Sequence, residues 1–410
     1  MLKAAKQKNF ELVDLVFILF LAISILCATS ATLEEAEKTL PIVVPYMYIE
    51  KIDVVKYLLI AIAFGWTFIK RKSLILDKIS IALMLRILIG IFQIFWIVVF
   101  LNGEVRLGNY FLWLMELVIY VTAYNSYTIT RAENFFKCSY IFSLIISVEV
   151  ILQAVLGILP SVAYSDIYYK ACLHIPIGSS NYLSTFILPC LVASIISCNH
   201  KDFTWIICSL IQVSGIILTK SRAGMLLLMG ILFLLFIKNF RHLKKWMVVA
   251  LFAFLPLLFY FLGTHLSEIV KVFQGYSSVV STGGRLNKVL SGRMDSIGDV
   301  LNSIMKYPIF GYGPNYVFSR PHNIAIDLLY QSGMVGMIVF FYYIYILLKG
   351  QEKIKCKKAT IQYAMAVIVV IIVNAFTEVS ILNSLLSDLM FFPTVAILAN
   401  SKKASCANKE

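Results

Sequence analysis

Apolar residues fall along this chain in long runs that are separated by short polar segments. Most runs are about 18 to 22 residues long, the length that an α-helix needs to cross the hydrocarbon core of a bilayer. We count about twelve of them, and each is a candidate transmembrane helix. They lie near residues 13–30, 53–70, 79–101, 109–129, 138–159, 181–199, 203–219, 224–238, 246–264, 325–348, 360–377 and 380–400. The pattern predicts an all-α integral membrane protein.

One interval between the predicted helices, residues 265–323, is much longer than the others. It separates residues 1–264, with predicted helices 1 to 9, from residues 324–410, with predicted helices 10 to 12 and a tail. Inside this loop, apolar residues recur at helical spacing until Pro308 ends the pattern, which predicts a short amphipathic helix. The apolar residues are Met294, Ile297, Leu301, Ile304 and Met305.

The end of the loop and the following apolar run predict a turn and then an interrupted helix. The segment "FGYGPN" is typical of a turn. Pro321 favours a helix start, which puts His322 and Asn323 in the first helical turn. Gly333 and Gly336 then interrupt the helix as it enters the bilayer.

The composition excludes a soluble domain. Hydrophobic residues make up 60% of the chain and charged residues 14%, whereas globular domains carry about a quarter charged residues. The net charge of +14 could indicate nucleic-acid binding, but that function needs the basic residues on one folded surface. Here they are scattered over separate loops, so we exclude nucleic acid as a partner.

The distribution of basic residues predicts the topology. Most lysines and arginines fall in the two terminal segments and in alternate loops, which is the bias of cytoplasmic segments. Both termini are therefore expected in the cytoplasm, and the long loop on the outer side of the membrane. The first apolar run imitates a signal peptide, but we interpret it as an uncleaved helix. The eight cysteines form no close pairs, which argues against a disulfide framework or a zinc site.

The segment "TKSRAG" holds two charges, Lys220 and Arg222, between two apolar runs at the predicted outer surface. Arg222 alone could reach lipid headgroups as many interfacial arginines do. Other basic residues fall on the same side, however, and guanidinium groups bind diphosphate through paired hydrogen bonds. These residues are Arg285, Arg293, Arg320 and His322. Lipid-diphosphate sugars are the anionic substrates expected at that face.

His322 is the one candidate proton acceptor in this group, because an imidazole titrates near neutral pH. A histidine at a helix start can also serve only as a capping residue. No Gly-rich phosphate loop occurs in the sequence, which disfavours a nucleotide-sugar donor.

Three ionisable residues lie within predicted transmembrane helices: Arg86, Glu116 and Glu149. Such residues usually have a functional role or a partner. We expect an ion pair between Arg86 and a glutamate that joins the helices. Glu378 lies at the outer end of the eleventh predicted helix and is a secondary candidate for the outer site.

Several segments together resemble the O-antigen ligase and polymerase family of bacterial membrane glycosyltransferases. They are "IPIGSSNYLST", "TKSRAG", "SGRMDSIGDVLNSIMKYPIFGYGPN" and "HNIAIDLLYQSGMVG", in this order over roughly residues 175–390. No single motif is specific, but their order and their predicted position on one side of the membrane support the resemblance.

The resemblance implies a GT-C-like polymerase or ligase fold in the bacterial cytoplasmic (inner) membrane, with an extracytoplasmic active site and no metal or cofactor. It implies that the essential residues are Arg222, Arg293 and His322, although Arg285 competes with Arg293 for the loop position. We expect substrate-binding roles for Lys220, Arg285, Arg320, Asn323 and Glu378. The implied partners are an undecaprenyl-diphosphate-linked oligosaccharide and membrane lipid, with a chain-length regulator or a flippase as candidate protein partners.

Three functions are consistent with the sequence. The first is a polysaccharide polymerase for O-antigen, capsule or exopolysaccharide, and it acts by inversion if the attack is direct. The second is a ligase that transfers the polymer to lipid A core or another acceptor. The third is a transporter of lipid-linked oligosaccharides, which is disfavoured because no internal repeat is found.

Overall fold

The computed structural model describes residues 11–28, 47–48, 52–100, 105, 107–127, 129–155, 180–197, 202–219, 221, 224–225, 227–231, 293–314, 323–348, 358–376 and 385–407. These residues are almost entirely helical. The helices are α1 (Leu12–Leu26), α2 (Ile52–Arg71), α3 (Lys78–Phe100), α4 (Leu107–Ser126), α5 (Ile129–Val155), α6 (Ser180–Ser197), α7 (Phe203–Leu218), α8 (Arg293–Lys306), α9 (Ile324–Leu348), α10 (Lys358–Ala375) and α11 (Leu385–Ala407).

Among these residues, β structure is limited to one short pairing. Strand β1 (Cys27–Ala28) lies parallel to β2 (Met47–Tyr48), with Cys27 opposite Met47 and Ala28 opposite Tyr48. The prediction of an all-α fold therefore holds apart from this two-residue contact.

Four of the described helices are long and apolar enough to cross a membrane, namely Ile52–Arg71, Lys78–Phe100, Arg131–Gln153 and Ile324–Tyr342. Four shorter apolar helices accompany them. The predicted total of twelve transmembrane helices remains a prediction, because much of the predicted eighth helix and all of the ninth lie outside the described residues.

The helices divide into a buried centre and an apolar periphery. In α6 and α11, large side chains such as Leu188, Leu191, Phe391 and Phe392 are fully buried, and α6 packs against α10 while α4 packs against α11. Helices α2 and α3 instead leave leucines, isoleucines and phenylalanines exposed along one side. Apolar surface on both faces of a helix is expected where protein lies on one side and lipid on the other.

One end of the bundle is fastened by a cluster of charges. Arg131 at the start of α5 binds Glu11 at 2.6 Å and Asp14 at 2.7 Å, both at the start of α1. Lys70 at the end of α2 binds Glu11 at 2.8 Å. The side-chain amide of Asn400 in α11 donates to one backbone carbonyl group near the end of α4 and to the carbonyl group of the residue just after α4. The basic-residue pattern predicts that all these helix ends lie on one side of the membrane, and the structure brings them together.

Helix α8 begins at Arg293 and ends two residues before Pro308, over the residues for which the sequence predicts a short amphipathic helix. Ile304, one of the apolar residues at helical spacing, is buried and packs with Val300 against Tyr330 of α9. Leu301 and Met305 are 46% and 78% exposed, so they form an apolar outer surface instead. The loop helix is therefore fastened to α9 by the Val300 and Ile304 face.

Helix α9 is broken where the sequence predicts an interruption. Gly333 has φ 63° and ψ −167°, a backbone conformation that side chains larger than hydrogen disfavour. The helix begins at Ile324, and Asn323 is its N-cap rather than part of its first turn as predicted. The predicted helical position of His322 lies outside the described residues. The break occurs well inside a helix that is long enough to cross the membrane.

Candidate functional site

Most of the predicted site residues lie outside the described part of the chain. They are Lys220, Arg222, Arg285, Arg320, His322 and Glu378. Two predicted residues are described: Arg293 is the first residue of α8, and Asn323 caps α9. Ser221 and Asn323, the sequence neighbours of Arg222 and His322, are also described.

The turn after α7, which carries the "TKSRAG" motif, is anchored to α6. Ser221 is fully buried, and its hydroxyl accepts a hydrogen bond from Ser184 of α6 at 3.1 Å and from the backbone amide of Gly224 at 3.1 Å. A Cβ atom at Gly224 would lie only 2.6 Å from the Cβ atom of Ser184. The close approach of Gly224 to Ser184 holds the described part of the motif against the beginning of α6.

Asn323 connects the start of α9 with the end of α10. Its side-chain oxygen accepts hydrogen bonds from the backbone amides of Ala325 at 3.0 Å and Ile326 at 3.3 Å, which is the usual geometry of an N-cap. Its amide group donates to the carbonyl of Phe376, just beyond α10, at 3.1 Å. The predicted substrate-binding role of Asn323 stays a prediction, and the structure assigns it this capping role.

These two anchors belong to one row of polar contacts across one end of the bundle. Asn374 near the end of α10 donates to the hydroxyl of Thr185, which follows Ser184 in α6. The row thus runs from the turn after α7, through α6 and α10, to the start of α9. We call it the polar seam, and it consists of Ser221, Ser184, Thr185, Asn374, the carbonyl of Phe376 and Asn323. It joins the sequence neighbours of Arg222 to the sequence neighbour of His322.

A second group of polar side chains lies inside the bundle, around Arg86 of α3. The guanidinium group binds the carboxylate of Glu116 in α4 and donates to the side-chain oxygen of Gln331 in α9 at 3.2 Å. It also lies over the ring of Trp113 in α4, 4.3 Å from its centroid. The predicted ion pair of Arg86 is therefore confirmed with Glu116 as its partner, and the third helix that it joins is α9.

Gln331 and Gln93 extend this group to the break in α9. The side-chain amide of Gln331 donates to Asp327, one turn earlier, at 2.7 Å. The side-chain amide of Gln93, in α3, donates to the backbone carbonyl of Gln331 at 2.7 Å and to that of Phe310. We call Arg86, Glu116, Gln331, Asp327 and Gln93 the inner polar network.

The backbone groups that the break leaves unpaired are satisfied by the segment 308–313, which follows α8. The amides of Tyr312 and Gly313 donate to the carbonyls of Tyr330 and Gln331, at 2.7 and 3.0 Å. In the other direction, the amides of Met334 and Val335 donate to the carbonyls of Pro308 and Ile309, at 2.9 and 3.2 Å. Non-helical backbone at membrane depth is stable only when protein groups satisfy it in this way.

Close packing of glycine backbone makes this contact feasible. A Cβ atom at Gly333 would lie 2.2 Å from the carbonyl oxygen of Ile309, and one at Gly311 would lie 2.6 Å from the amide nitrogen of Gly333. Both glycines have positive φ. We call this contact between segment 308–313 and the break of α9 the glycine joint.

The sequence did not single out Gln331 or Gln93. A neutral amide in an apolar helix gives no charge signal, and its partners lie on helices far away in the chain.

The described residues contain no group of three or more His, Cys, Asp or Glu side chains arranged as metal ligands.

The fold and these polar contacts define a class: an α-helical membrane protein of several spans, with a broken helix joined to a loop helix. Within that class, residues 207–341 match the model of the family described as O-antigen ligase. The matched segment is about a third of the chain and contains most of α7, the "TKSRAG" motif, α8, the glycine joint and α9 as far as Phe341. The resemblance to the O-antigen ligase and polymerase family is thereby confirmed. No curated protein matches the chain.

Proposed function

We propose that this protein is a polysaccharide polymerase of the bacterial cytoplasmic membrane. It transfers a growing glycan from undecaprenyl diphosphate to the next lipid-linked repeat unit, at the outer face. The observation that carries the proposal is the family match to residues 207–341, which contains Lys220, Arg222, Arg285, Arg293, Arg320, His322 and Asn323 in one segment. Glu378 lies beyond it.

The polar seam supports a common site for these residues. It ties Ser221, the immediate neighbour of Arg222, and Asn323, the immediate neighbour of His322, to the same ends of α6 and α10. The glycine joint and the Val300 face tie the helix that begins with Arg293 to α9. The sequence neighbours of Arg222 and His322, and the helix that begins with Arg293, thus belong to one chain of contacting elements, which supports the proposal.

In the proposed reaction, a hydroxyl oxygen of the acceptor sugar attacks the anomeric carbon of the donor. The bond between that carbon and the diphosphate oxygen breaks, and the diphosphate leaves with the electron pair. Arg222 and Arg293 stabilise the charge that develops on the diphosphate. His322 accepts the hydroxyl proton. Attack in line with the leaving group inverts the anomeric configuration.

The test is an assay with the purified protein in lipid nanodiscs and an undecaprenyl-diphosphate-linked oligosaccharide as the sole sugar substrate. We expect a ladder of products on a gel, and no ladder from Arg222→Ala or His322→Ala. Arg71→Ala removes an exposed arginine at the end of α2 and serves as the control, with its ladder retained. A full ladder from Arg222→Ala would contradict the diphosphate-binding role.

A ligase is the second candidate, because the matching family is described as O-antigen ligase. It differs from the polymerase in the acceptor. If no ladder forms, but a glycan is transferred once lipid A core or a protein acceptor is added, the protein is a ligase. Absence of transfer to every acceptor would contradict both.

A further inference from the structure

The inner polar network holds α9 at its break, and the break is where α8 is attached as well. Tyr330, the residue before Gln331, packs against Val300 and Ile304 of α8. The carbonyls of Tyr330 and Gln331 accept the hydrogen bonds of segment 308–313. One short stretch of α9 therefore fixes both α8 and segment 308–313, and its connection to α3 runs through the side chains of Arg86 and Gln93.

This stretch of α9 is connected to the two helix starts that carry the proposed reacting residues, the start of α9 and the start of α8. Gln331 is eight residues after Asn323, roughly 12 Å along the helix at 1.5 Å per residue. Arg293 is seven residues before Val300, or roughly 10 Å along α8 by the same rise. A movement of α9 at Gln331 would therefore change the position of both helix starts at once.

The chemistry of the network is not what stability alone would favour. A buried ion pair can often be replaced by apolar side chains with no loss of stability. Among the described residues, neither Nε of Arg86 nor Oε1 of Glu116 meets a hydrogen-bond partner, so the network is not fully satisfied. The network instead fixes how the helices are oriented relative to one another, because Arg86 binds a carboxylate of α4 and an amide of α9 with one planar group.

We propose that Arg86 and Gln331 are positioning residues for the glycan transfer: their hydrogen bond fixes α9 and α8 relative to α3, and so fixes the starts of both helices, where Arg293 and the neighbour of His322 lie, relative to the rest of the bundle. This inference rests on the proposed function. The residues touch neither substrate nor leaving group, and they act through the helices that carry the reacting groups. A displacement of about 1 Å in such a site can reduce the rate by about 100-fold.

One pair of variants tests whether the hydrogen bond between Arg86 and Gln331 positions α9 and α8. Gln331→Met removes the hydrogen bonds to Arg86 and Asp327 but leaves the ion pair of Arg86 with Glu116 in place. The double variant Gln331→Glu/Asp327→Asn reverses the donor and the acceptor within α9. The carboxylate at 331 then accepts from both Arg86 and the amide at 327, and the net charge is unchanged.

The first measurement is structural. Spin labels at Val99 of α3 and Met305 of α8, which are both exposed, report the distance between these helices in nanodiscs. The eight native cysteines are replaced beforehand. We expect a narrow distance distribution in the parent protein, a broader one in Gln331→Met, and a narrow one again in the reversed pair. An unchanged distribution in Gln331→Met would overturn the positioning role.

The second measurement is kinetic. In Gln331→Met we expect kcat to fall by about tenfold or more, with KM for the lipid-linked donor within about twofold, because positioning acts on the transition state. The reversed pair should recover most of kcat, and Arg86→Lys should lie between the two. A parental kcat in Gln331→Met, or no recovery in the reversed pair, would overturn the inference. Absence of turnover in the parent protein would instead overturn the proposed function, while the distance measurement would still show whether the bond holds α8 against α3.

Discussion

Two arginines of this protein bind carboxylates in different surroundings. Arg131 lies at the end of the bundle, where it binds Glu11, Asp14 and the carbonyl of Ser126. Arg86 lies within a membrane-spanning helix, where it binds Glu116 and Gln331. Their side chains are 13% and 10% exposed, so burial does not distinguish them. Their surroundings distinguish them, since Arg131 lies at helix termini and Arg86 lies among apolar helices.

The same type of ion pair can therefore either join helix ends or orient one helix relative to another. The partners of Arg131 are groups at helix ends, and the result is a cluster at one end of the bundle with Lys70 at its edge. Arg86 uses its second hydrogen bond on Gln331, beside a break in a helix. Removal of either arginine should lower stability, but we expect removal of Arg86 alone to change the geometry of the proposed site.

The largest effect is expected at the glycine joint. Gly333→Ala forces a side chain into a conformation that costs about 1–3 kcal/mol, and its Cβ atom would displace Ile309. The four backbone hydrogen bonds of the joint add about 1 kcal/mol each if they are lost, so we expect a destabilisation of about 5 kcal/mol or more. Thermal unfolding in nanodiscs measures it. Gly65→Ala in α2, where a Cβ atom meets nothing within 4 Å, is the matched control and should be neutral or stabilising.

Next comes the comparison of the arginines themselves. Arg86→Ala leaves the carboxylate of Glu116 unpaired among apolar helices, and we expect a loss of about 3–5 kcal/mol. Arg131→Ala leaves Glu11 paired with Lys70 and leaves Asp14 with the hydrogen bond from the backbone amide of Glu11, so the expected loss is about 2 kcal/mol. Unfolding of the two variants under identical conditions measures the difference. Equal losses would contradict the distinction between the two sites.

A smaller effect is expected at Asn323. Asn323→Ala removes the N-cap of α9 and should cost about 1 kcal/mol. Asn323→Asp keeps the oxygen that caps the helix and loses the donor to the carbonyl of Phe376, so it isolates the contribution of the polar seam. We expect the aspartate variant to retain the cap while loosening α9 from α10. Hydrogen exchange of the amides of Ala325 and Ile326, which donate to the cap, should therefore be slower in Asn323→Asp than in Asn323→Ala. Equal exchange in the two variants would contradict the capping role.

The smallest effect is a pH dependence at the Arg131 cluster. Burial by itself would raise the pKa of Glu11, but the hydrogen bonds and charges of Lys70 and Arg131 outweigh it and hold this pKa below its ordinary value of 4.5. Glu11 therefore binds a proton less readily in the folded protein than in the unfolded one. Its contribution is present above pH 4.5 and is lost as the pH falls below that value. Unfolding measured against pH in the parent protein and in Glu11→Gln should show this loss in the parent alone.

The sequence predicts the helices better than their ends. The run predicted at 203–219 corresponds to α7, whereas the run at 138–159 gives the helix α5, which begins earlier, at Ile129. The difference arises because the first turns of α5 carry Arg131, whose charge is satisfied by α1. A hydropathy pattern excludes such a residue from a transmembrane helix, since the partner lies on another part of the chain.

Interactions between distant residues account for the rest of what the sequence did not predict. The break at Gly333 and the loop helix α8 are local features and were predicted. That Glu116 rather than Glu149 pairs with Arg86 depends on how α3, α4 and α5 pack. The role of Gln331 depends on the same packing, and an amide among apolar residues has no periodic signature of its own.

Arg86 also bears on the order in which the chain is assembled in the membrane. Its carboxylate partner follows 30 residues later, on the next helix, so a hairpin of α3 and α4 can enter the bilayer with the two charges already neutralised. Its amide partner follows 245 residues later and does not exist until α9 has been synthesised. The glycine joint, by contrast, closes within the chain segment that makes α8 and α9. The charge of Arg86 is therefore neutralised early in synthesis, and the bond from Arg86 to Gln331 forms only when α9 docks against α3.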